Sequence, residues 1–215
     1  MKKLILVDGF SLLFRAYYAT AYSGNLMRNS KGLHTNMLFG FASMMQKLMK
    51  EDFSHILIAF DAGKKTFRHD MFPEYKAGRS TTPPELIEQI PYAKKYVELL
   101  GIKQYQKDSF EADDIIGTVA KNAESEGFQV EIYTGDKDLL QLSTNKVTVN
   151  ITKRGVSEVE KYTPKYLFEK MEITPEQVTD LKGLMGDKSD NLPGIPGVGE
   201  KTAIKLLKQY DTLEN

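Results

Sequence analysis

Nine carboxylates from five separate segments of the chain are candidates for binding divalent cations. They are Asp8, Asp61, Glu111, Asp113, Asp114, Asp136, Asp138, Asp187 and Asp190. Packing so many acids together without cations would raise their pKa values and oppose folding through like-charge repulsion. Oxygen-only ligation suits magnesium or manganese, and two such ions roughly 4 Å apart form a standard site for cutting phosphodiesters. The acids therefore predict metal-assisted phosphodiester hydrolysis.

Some of these acids could instead have only a structural role at the start of a helix. In "FEADDIIG", residues 110–117, acids are favoured in the first helical turn, and Ser109 would cap that helix. Asp136 and Asp138 in "TGDKDLLQL" fit a strand-to-helix turn in the same way. The number of acids, taken together, favours the metal site. Zinc is disfavoured because the chain has no cysteine and its three histidines are scattered.

A basic and aromatic stretch follows Asp61. From Lys64 to Arg79, "KKTFRHDMFPEYKAGR" holds five basic and two acidic residues, so its net charge is 5 − 2 = +3. Cations alternating with aromatic rings suit a single-stranded nucleic acid, in which phosphates pair with the cations and bases stack on the rings. The region 63–84 is also long for a loop in a compact domain, and such loops are often functional. Its candidate DNA-binding residues are Lys64, Lys65, Arg68, Lys76 and Arg79.

The stretch "GDKSDNLPGIPGVGEKTA", residues 186–203, resembles a phosphate-binding P-loop only superficially. Gly194 and Gly199 have the required spacing, but Glu200 occupies the lysine position and a helix precedes the loop where a strand should. A helix, a glycine-rich turn and a second helix predict a unit that grips a duplex backbone through amides and lysines. The residues predicted to contact DNA here are Gly194, Gly197, Gly199, Lys201, Thr202 and Lys205.

Three short apolar runs predict the sheet that positions the acids. "KLILVD", "HILIAFD" and "VEIYTGD" have the composition of strands buried on both faces, and each ends in an aspartate. Helical patterns lie between them, at residues 35–50, 84–101 and 111–127. Strands alternating with helices predict an α/β fold with a mostly parallel sheet, in which ligands bind beyond the carboxyl ends of the strands. Asp8, Asp61 and Asp136 should therefore converge.

The composition describes a globular chain with no net charge. The 215 residues fit one compact domain with room for a smaller lobe. Twenty-nine basic and 29 acidic residues cancel, so a nucleic-acid partner must be signalled by local charge. No apolar window approaches the roughly 20 residues that span a bilayer, and the first apolar run is too short for a signal peptide. We predict a soluble, cytoplasmic protein with no membrane partner.

Six motifs, in order, resemble the signatures of the 5′-nuclease superfamily. They are "LILVDG", "AFD", "FPEYKAGR", "EADD", "TGDKDLLQL" and "GDKSDNLPGIPGVGEKTA". The greatest similarity is to bacterial flap endonucleases, which occur alone or as the 5′→3′ exonuclease domain of DNA polymerase I. The resemblance implies a PIN-like core at residues 1–172 with a helical arch at about 63–84. It also implies a helix-three-turn-helix lobe at 173–215, which we expect to be truncated because family members continue further.

The resemblance also implies roles for individual residues. All nine acids match acidic positions of the family's metal site, and none is substituted. Tyr75, Lys76 and Arg79 match arch residues that engage the strand near the scissile phosphate and so become candidate catalytic residues. Carbonyl groups of the glycine-rich loop would hold a monovalent cation, commonly potassium. The implied activity is flap endonuclease and 5′→3′ exonuclease cleavage of DNA in replication and repair.

Two alternatives stay open from the sequence. An RNA-cleaving PIN-domain nuclease would share the acidic cluster but has no need of the basic segment or the glycine-rich loop. A non-catalytic protein that binds DNA structures could keep the fold, although substituted carboxylates would then be expected.

Overall fold

A six-stranded sheet forms the centre of the molecule, and every strand but one runs in the same direction. The computed structural model describes residues 2–21, 26–63, 65–154 and 158–215. The strands are β1 (Lys3–Asp8), β2 (His55–Ala59), β3 (Lys103–Tyr105), β4 (Gln129–Thr134), β5 (Val147–Arg154) and β6 (Glu158–Tyr162). Their order is β3-β2-β1-β4-β5-β6, and only β6 is antiparallel to its neighbour. The predicted mostly parallel sheet is confirmed.

Helices cover both faces of the sheet. They are α1 (Gly9–Thr20), α2 (Asn36–Leu48), α3 (Phe67–Met71), α4 (Pro84–Ile87), α5 (Ile90–Leu99), α6 (Ala112–Ser125), α7 (Pro164–Met171), α8 (Gln177–Met185) and α9 (Glu200–Tyr210). A 3₁₀ helix spans Lys137–Leu142. None of the helices in the described part of the chain has the length and apolar character that a membrane crossing needs.

The central strand β1 explains why its sequence is a continuous apolar run. Successive side chains of a strand point to opposite faces. Ile5 and Val7 pack into a core with α1, α2 and α5, whereas Leu4 and Leu6 pack into a second core with α6 and α8. Because both faces are covered, the four residues from Leu4 to Val7 are all apolar, and the charged residues Lys3 and Asp8 lie at the two ends of the strand.

The predicted helices form, with one difference. The pattern at residues 84–101 suggested one helix, but the structure divides it into α4 and α5. Pro91 has no amide proton and lies in the first turn of α5, where none is needed, so a helix restarts there. At the junction the buried Gln89 side chain donates to the Glu85 carbonyl at 2.6 Å and to Asn36 Oδ1 at 3.1 Å. Together these two hydrogen bonds tie α4 to the start of α2.

Candidate metal centre and nucleic-acid interface

The carboxyl ends of β1, β2 and β4 place three predicted acids at one edge of the sheet. Asp8 ends β1, while Asp61 and Asp136 each lie two residues beyond their strands. Asp8 also caps α1: it accepts hydrogen bonds from the Ser11 amide at 3.0 Å and the Thr134 hydroxyl at 2.9 Å. The start of the helix and the neighbouring strand thus hold this carboxylate in one orientation.

The start of α6 brings further acids to the same edge. Glu111 is the N-cap of this helix, so the expectation that Ser109 caps it is wrong. The reason is that Asp114, three residues further on, accepts a hydrogen bond from the Glu111 amide at 2.9 Å. Asp61 accepts the Ala112 amide at 2.6 Å, which fastens the end of β2 to the helix.

Asp113 lies among like charges. Burial, together with the charges of Asp8, Asp136, Asp61 and Glu111, raises the pKa of Asp113 to about 8. Burial likewise raises the pKa of Asp8 to about 6, even though that carboxylate accepts two hydrogen bonds. We call these five residues the first carboxylate group. A cation would relieve their mutual repulsion.

The raised pKa values predict that, in EDTA, stability falls as pH rises. Both carboxyls bind a proton more tightly in the folded protein than in the unfolded chain, where the pKa is near 3.8. Between about pH 4 and pH 8 the folded state therefore holds more protons, and the free energy of unfolding falls by on the order of a few kcal/mol. Urea titrations across this window measure the slope. Asp113→Asn should flatten it, and an unchanged slope would contradict the assignment.

Three more predicted acids form a second group. The carboxylate oxygens of Asp138, Asp187 and Asp190 all lie within 4.8 Å of one another. Asp138 stands on the 3₁₀ helix, and the loop between α8 and α9 carries the other two. Paired backbone hydrogen bonds of 2.9 and 2.8 Å between Asp187 and Leu192 close that loop. We call these three acids the second carboxylate group, and its all-oxygen donor set fits magnesium or manganese.

Lys182 of α8 lies against the second carboxylate group, and sequence analysis missed it. Its Nζ lies 2.7 Å from Asp138 Oδ1 and also donates to Asp187. Burial acts to raise the pKa of Asp187, but hydrogen bonds from Lys182 and Ser189 outweigh it and lower that pKa to about 2. The sequence does contain a sign of this contact: Lys182 lies one helical turn before the end of the helix that precedes "GDKSD". Gly186 then turns the chain back toward that lysine.

The arch segment, residues 63–84, meets both carboxylate groups. The Tyr75 hydroxyl lies 3.2 Å from Glu111 Oε2 and 2.9 Å from Asp190 Oδ2, and so links the first group to the second. Lys76 Nζ donates to Glu111 Oε1 at 2.8 Å, and Arg79 Nη2 donates to Asp190 Oδ1 at 2.6 Å. The three predicted catalytic side chains therefore lie where the two groups adjoin.

A bidentate ion pair joins the arch segment to α6. Arg68 donates from both terminal nitrogens to the Asp114 carboxylate, each at 2.8 Å. Burial opposes the charge on Asp114, but the Arg68 hydrogen bonds lower its pKa. Both oxygens of this predicted metal ligand thus have protein donors, and this predicted DNA-binding arginine has a carboxylate partner. The metal role of Asp114 stays a prediction.

Arg68→Ala and Asp114→Ala should each lower the free energy of unfolding by about 2 kcal/mol, because either change leaves a partly buried charge without its partner. The double variant should cost little more than one single variant, since the two residues share one interaction. Urea denaturation of the three variants measures this coupling. Removing the exposed Lys95–Glu98 pair is the control, and it should lower the free energy of unfolding by about 0.5 kcal/mol or less. Additive losses would contradict a direct pair.

The glycine-rich loop, which we call the grip loop (residues 186–199), depends on two glycines that touch. A Cβ on Gly186 would lie 2.5 Å from the Gly194 amide nitrogen, and one on Gly194 would lie 2.3 Å from that of Gly186. Gly197 has a φ of 82°, a left-handed conformation that favours glycine. Gly199 is the N-cap of α9, so the loop delivers the chain directly into the N-terminus of that helix.

The predicted DNA contacts divide between exposed and partly buried positions. Lys64 lies outside the described residues. Arg68, Lys76 and Gly194 are partly buried. The remaining predicted contacts are exposed: Lys65, Arg79, Gly197, Gly199, Lys201, Thr202 and Lys205. The last five belong to the grip loop and the first turns of α9, where backbone donors and two lysines suit a phosphate backbone.

Two protein families match consecutive parts of the chain. The model of the 5′-3′ exonuclease N-terminal resolvase-like domain matches residues 3–172. The model of the 5′-3′ exonuclease C-terminal SAM fold matches residues 173–215. DNA polymerase I of Bacillus subtilis (strain 168) is 56% identical over 214 residues, covering 99% of this chain. DNA polymerase I of Mycobacterium bovis is 47% identical over 213 residues.

This chain spans about a quarter of the length of these curated relatives, 24% and 23% respectively. Among solved structures, T5 5′-exonuclease with bound zinc ions has a TM-score of 0.77 at 26% identity, covering 98% of this chain and 76% of that one. The bacteriophage T5 flap endonuclease in a pseudo-enzyme-product complex with DNA and metal ions has a TM-score of 0.78 at 25% identity, covering 99% and 77%. The fold is also shared with flap endonuclease-1 from Methanococcus jannaschii, at 20% identity and a TM-score of 0.62.

Proposed function

Since this chain belongs to the 5′-3′ exonuclease family, we propose that it is a structure-specific 5′ nuclease that hydrolyses DNA phosphodiesters near junctions of single strand and duplex. The observation that carries the proposal is the meeting of Tyr75, Lys76 and Arg79 with carboxylates of both groups. Basic side chains that can neutralise a phosphate thus lie beside acids that can bind divalent metal ions. Metal-assisted cleavage of a phosphodiester needs both.

We propose magnesium or manganese as the cofactor, in two ions. For the second carboxylate group the fit rests on three carboxylate oxygens within 4.8 Å of one another, and for the first group it rests on the raised pKa of Asp113, which a cation would lower. The first carboxylate group would hold one ion and the second carboxylate group the other. When bound, the ions supply an activated water and stabilise the charge of the leaving oxygen. Asp114 is the least suited of the nine acids, because Arg68 engages both its oxygens.

The residues of the arch segment would orient and neutralise the scissile phosphate. Lys76 and Arg79 would exchange a carboxylate partner for a phosphate oxygen when the strand enters, keeping a charge-assisted hydrogen bond throughout. Tyr75 is buried between Glu111 and Asp190, and burial, followed by the charges of these two acids, raises its pKa. Its proton therefore stays on the hydroxyl, so Tyr75 acts as a hydrogen-bond donor that aligns the two acids.

The grip loop and α9 would hold the adjoining duplex without reading its sequence. Amides at the N-terminus of α9 and the side chains of Lys201 and Lys205 suit backbone phosphates, which carry no base identity. We also propose a monovalent cation, commonly potassium, on carbonyl groups of this loop. The division into a core at 1–172 and a lobe at 173–215 is proposed too, supported by the boundary between the two matched families.

The substrate would be DNA with a 5′ flap or a 5′ end beside a duplex. Relatives named DNA polymerase I and neighbours named flap endonuclease support this class. Primer or flap removal during DNA replication and repair, in the cytoplasm, is the cellular role that follows.

The deciding experiment compares cleavage of a 5′-flap DNA with cleavage of a matched RNA hairpin, each in magnesium and in EDTA. We expect the flap to be cut near its junction only with the metal, and the hairpin to be cut far more slowly. Preferential cleavage of the hairpin would favour an RNA nuclease. Flap binding without any cleavage would identify a DNA-structure-binding protein instead.

A further inference from the structure

A groove of about 440 Å³ lies between α5 and the end of the edge strand β3. Phe60, Gln104 and Tyr105 line it together with Lys94, Lys95 and Glu98 of α5, and Lys95 pairs with Glu98 at 2.9 Å. None of these residues belongs to the carboxylate groups, the arch segment or the grip loop. The roles assigned above to the site therefore leave this groove unexplained.

The groove contains a partly buried lysine with no acidic partner. Lys94 Nζ lies 4.6 Å from the centre of the Phe60 ring and 2.9 Å from Gln106 Oε1. Its backbone carbonyl accepts a hydrogen bond from Gln104 at 2.8 Å, so α5 is fixed to β3. Among the residues that the structure describes, no carboxylate pairs with Lys94, and burial lowers its pKa. An anion in the groove would supply the missing countercharge.

Tyr105 adds a stacking surface to this cation. Its side chain is 50% exposed although its backbone is fixed, because its carbonyl accepts the Phe60 amide at 2.9 Å. Residues 94–108 hold four lysines and two acids, a net charge of 4 − 2 = +2 in a chain that is neutral as a whole. A half-exposed ring beside lysines matches the chemistry of single-stranded nucleic acid, in which bases stack and phosphates pair with cations.

The position of the groove indicates which strand would reach it. Along the sheet edge the order is β3, β2, β1 and β4, and the 3₁₀ helix after β4 contacts α8. The grip loop, which carries Asp187 and Asp190, thus lies at one end of the row of carboxylates, and the groove lies beyond the other end. Phe60 directly precedes Asp61 and the arch segment, and Pro91 of α5 follows that segment. A strand that passes the carboxylates under the arch segment would meet this groove next.

We propose that the groove between α5 and β3 binds the unpaired 5′ strand after it has crossed the carboxylate site, with a base on Tyr105 and a phosphate on Lys94. This inference rests on the proposed nuclease function, since it takes the same DNA as its ligand. It adds a second contact region for the single strand, separate from the arch segment. Flap-bearing DNA should consequently bind more tightly than the same duplex without a flap.

The test measures fluorescence anisotropy of two labelled DNAs in EDTA, where cleavage is prevented. One carries a 5′ flap of about ten thymidines, and the other is the same duplex with only a nick. We expect Tyr105→Ala to weaken flap binding about tenfold and to leave nick binding unchanged, because stacking on one ring is lost. Tyr105→Phe keeps the ring and should bind the flap like the unaltered chain.

Tyr92 provides the matched control. It lies on α5, is 51% exposed, and does not line the groove, so Tyr92→Ala removes an equally exposed ring nearby. Equal flap affinity in Tyr105→Ala and the unaltered chain would overturn the proposal, as would equal losses for Tyr92→Ala and Tyr105→Ala. If the unaltered chain cuts neither DNA with magnesium, the nuclease function fails. The anisotropy comparison decides the groove independently.

Discussion

Asp113→Asn is expected to lower metal-dependent cleavage of flap DNA by about 10³-fold while making the metal-free protein more stable. The two effects share one cause. Burial, followed by repulsion from the acids around it, raises the pKa of Asp113 to about 8. With divalent cations bound, the same charge becomes a ligand, so removing it weakens the metal site. Without them, removing it relieves strain between like charges.

Cleavage rates in magnesium and melting temperatures in EDTA measure the two effects. The melting temperature should rise by a few degrees, since about 1 kcal/mol shifts a domain of this size by roughly 2–4 °C. Asp52→Asn is the control, because Asp52 is exposed and precedes β2 at the opposite edge of the sheet. Unchanged cleavage by Asp113→Asn, or cleavage by the unaltered chain in EDTA, would refute the two-metal site. A lower melting temperature in EDTA would show that Asp113 serves mainly as a structural hydrogen-bond acceptor.

Lys76→Ala and Arg79→Ala should each reduce kcat by about 10²-fold and change the affinity for duplex DNA much less. Both cations lie against the acids that would bind metal, at 2.8 Å from Glu111 and 2.6 Å from Asp190. They are placed to meet charge that develops on the phosphate during cleavage. The duplex would be held by Gly197 and Gly199 of the grip loop and by the lysines of α9, whereas Lys76 and Arg79 contact the acidic part of that loop, at Ser189 and Asp190.

Single-turnover rates and equilibrium binding separate these contributions. Lys50→Ala is the control, because Lys50 is an exposed lysine that precedes β2, at the opposite edge of the sheet from the acids. Lys76→Arg keeps the charge but changes its geometry, so partial recovery is expected. Equal losses in kcat and in affinity would move both residues from catalysis to binding.

Elements with strong periodicity could be predicted from the sequence, whereas short or interrupted ones could not. The apolar run of β1 and the helical patterns of α2 and α6 predict their own conformation, since burial on both faces or on one stripe leaves few alternatives. Strand β3 has only three residues and depends on pairing with β2. At the division between α4 and α5, the Gln89 side chain bonds to Asn36 and Leu38 of α2 as well as to Glu85 of α4, and the contacts with α2 are remote in sequence.

The sequence by itself determined which side chains are available and that Asp8, Asp61 and Asp136 would share one edge, because parallel strands end on the same side. Only the tertiary structure decided which basic side chain pairs with which acid. It brought Lys182 onto the second carboxylate group and directed Arg68 to Asp114 rather than to open solvent. The physical reason is distance along the chain: Arg68 and Asp114 are 46 residues apart. No local periodicity encodes such a contact, which exists only once the sheet has set the positions of the segments that carry it.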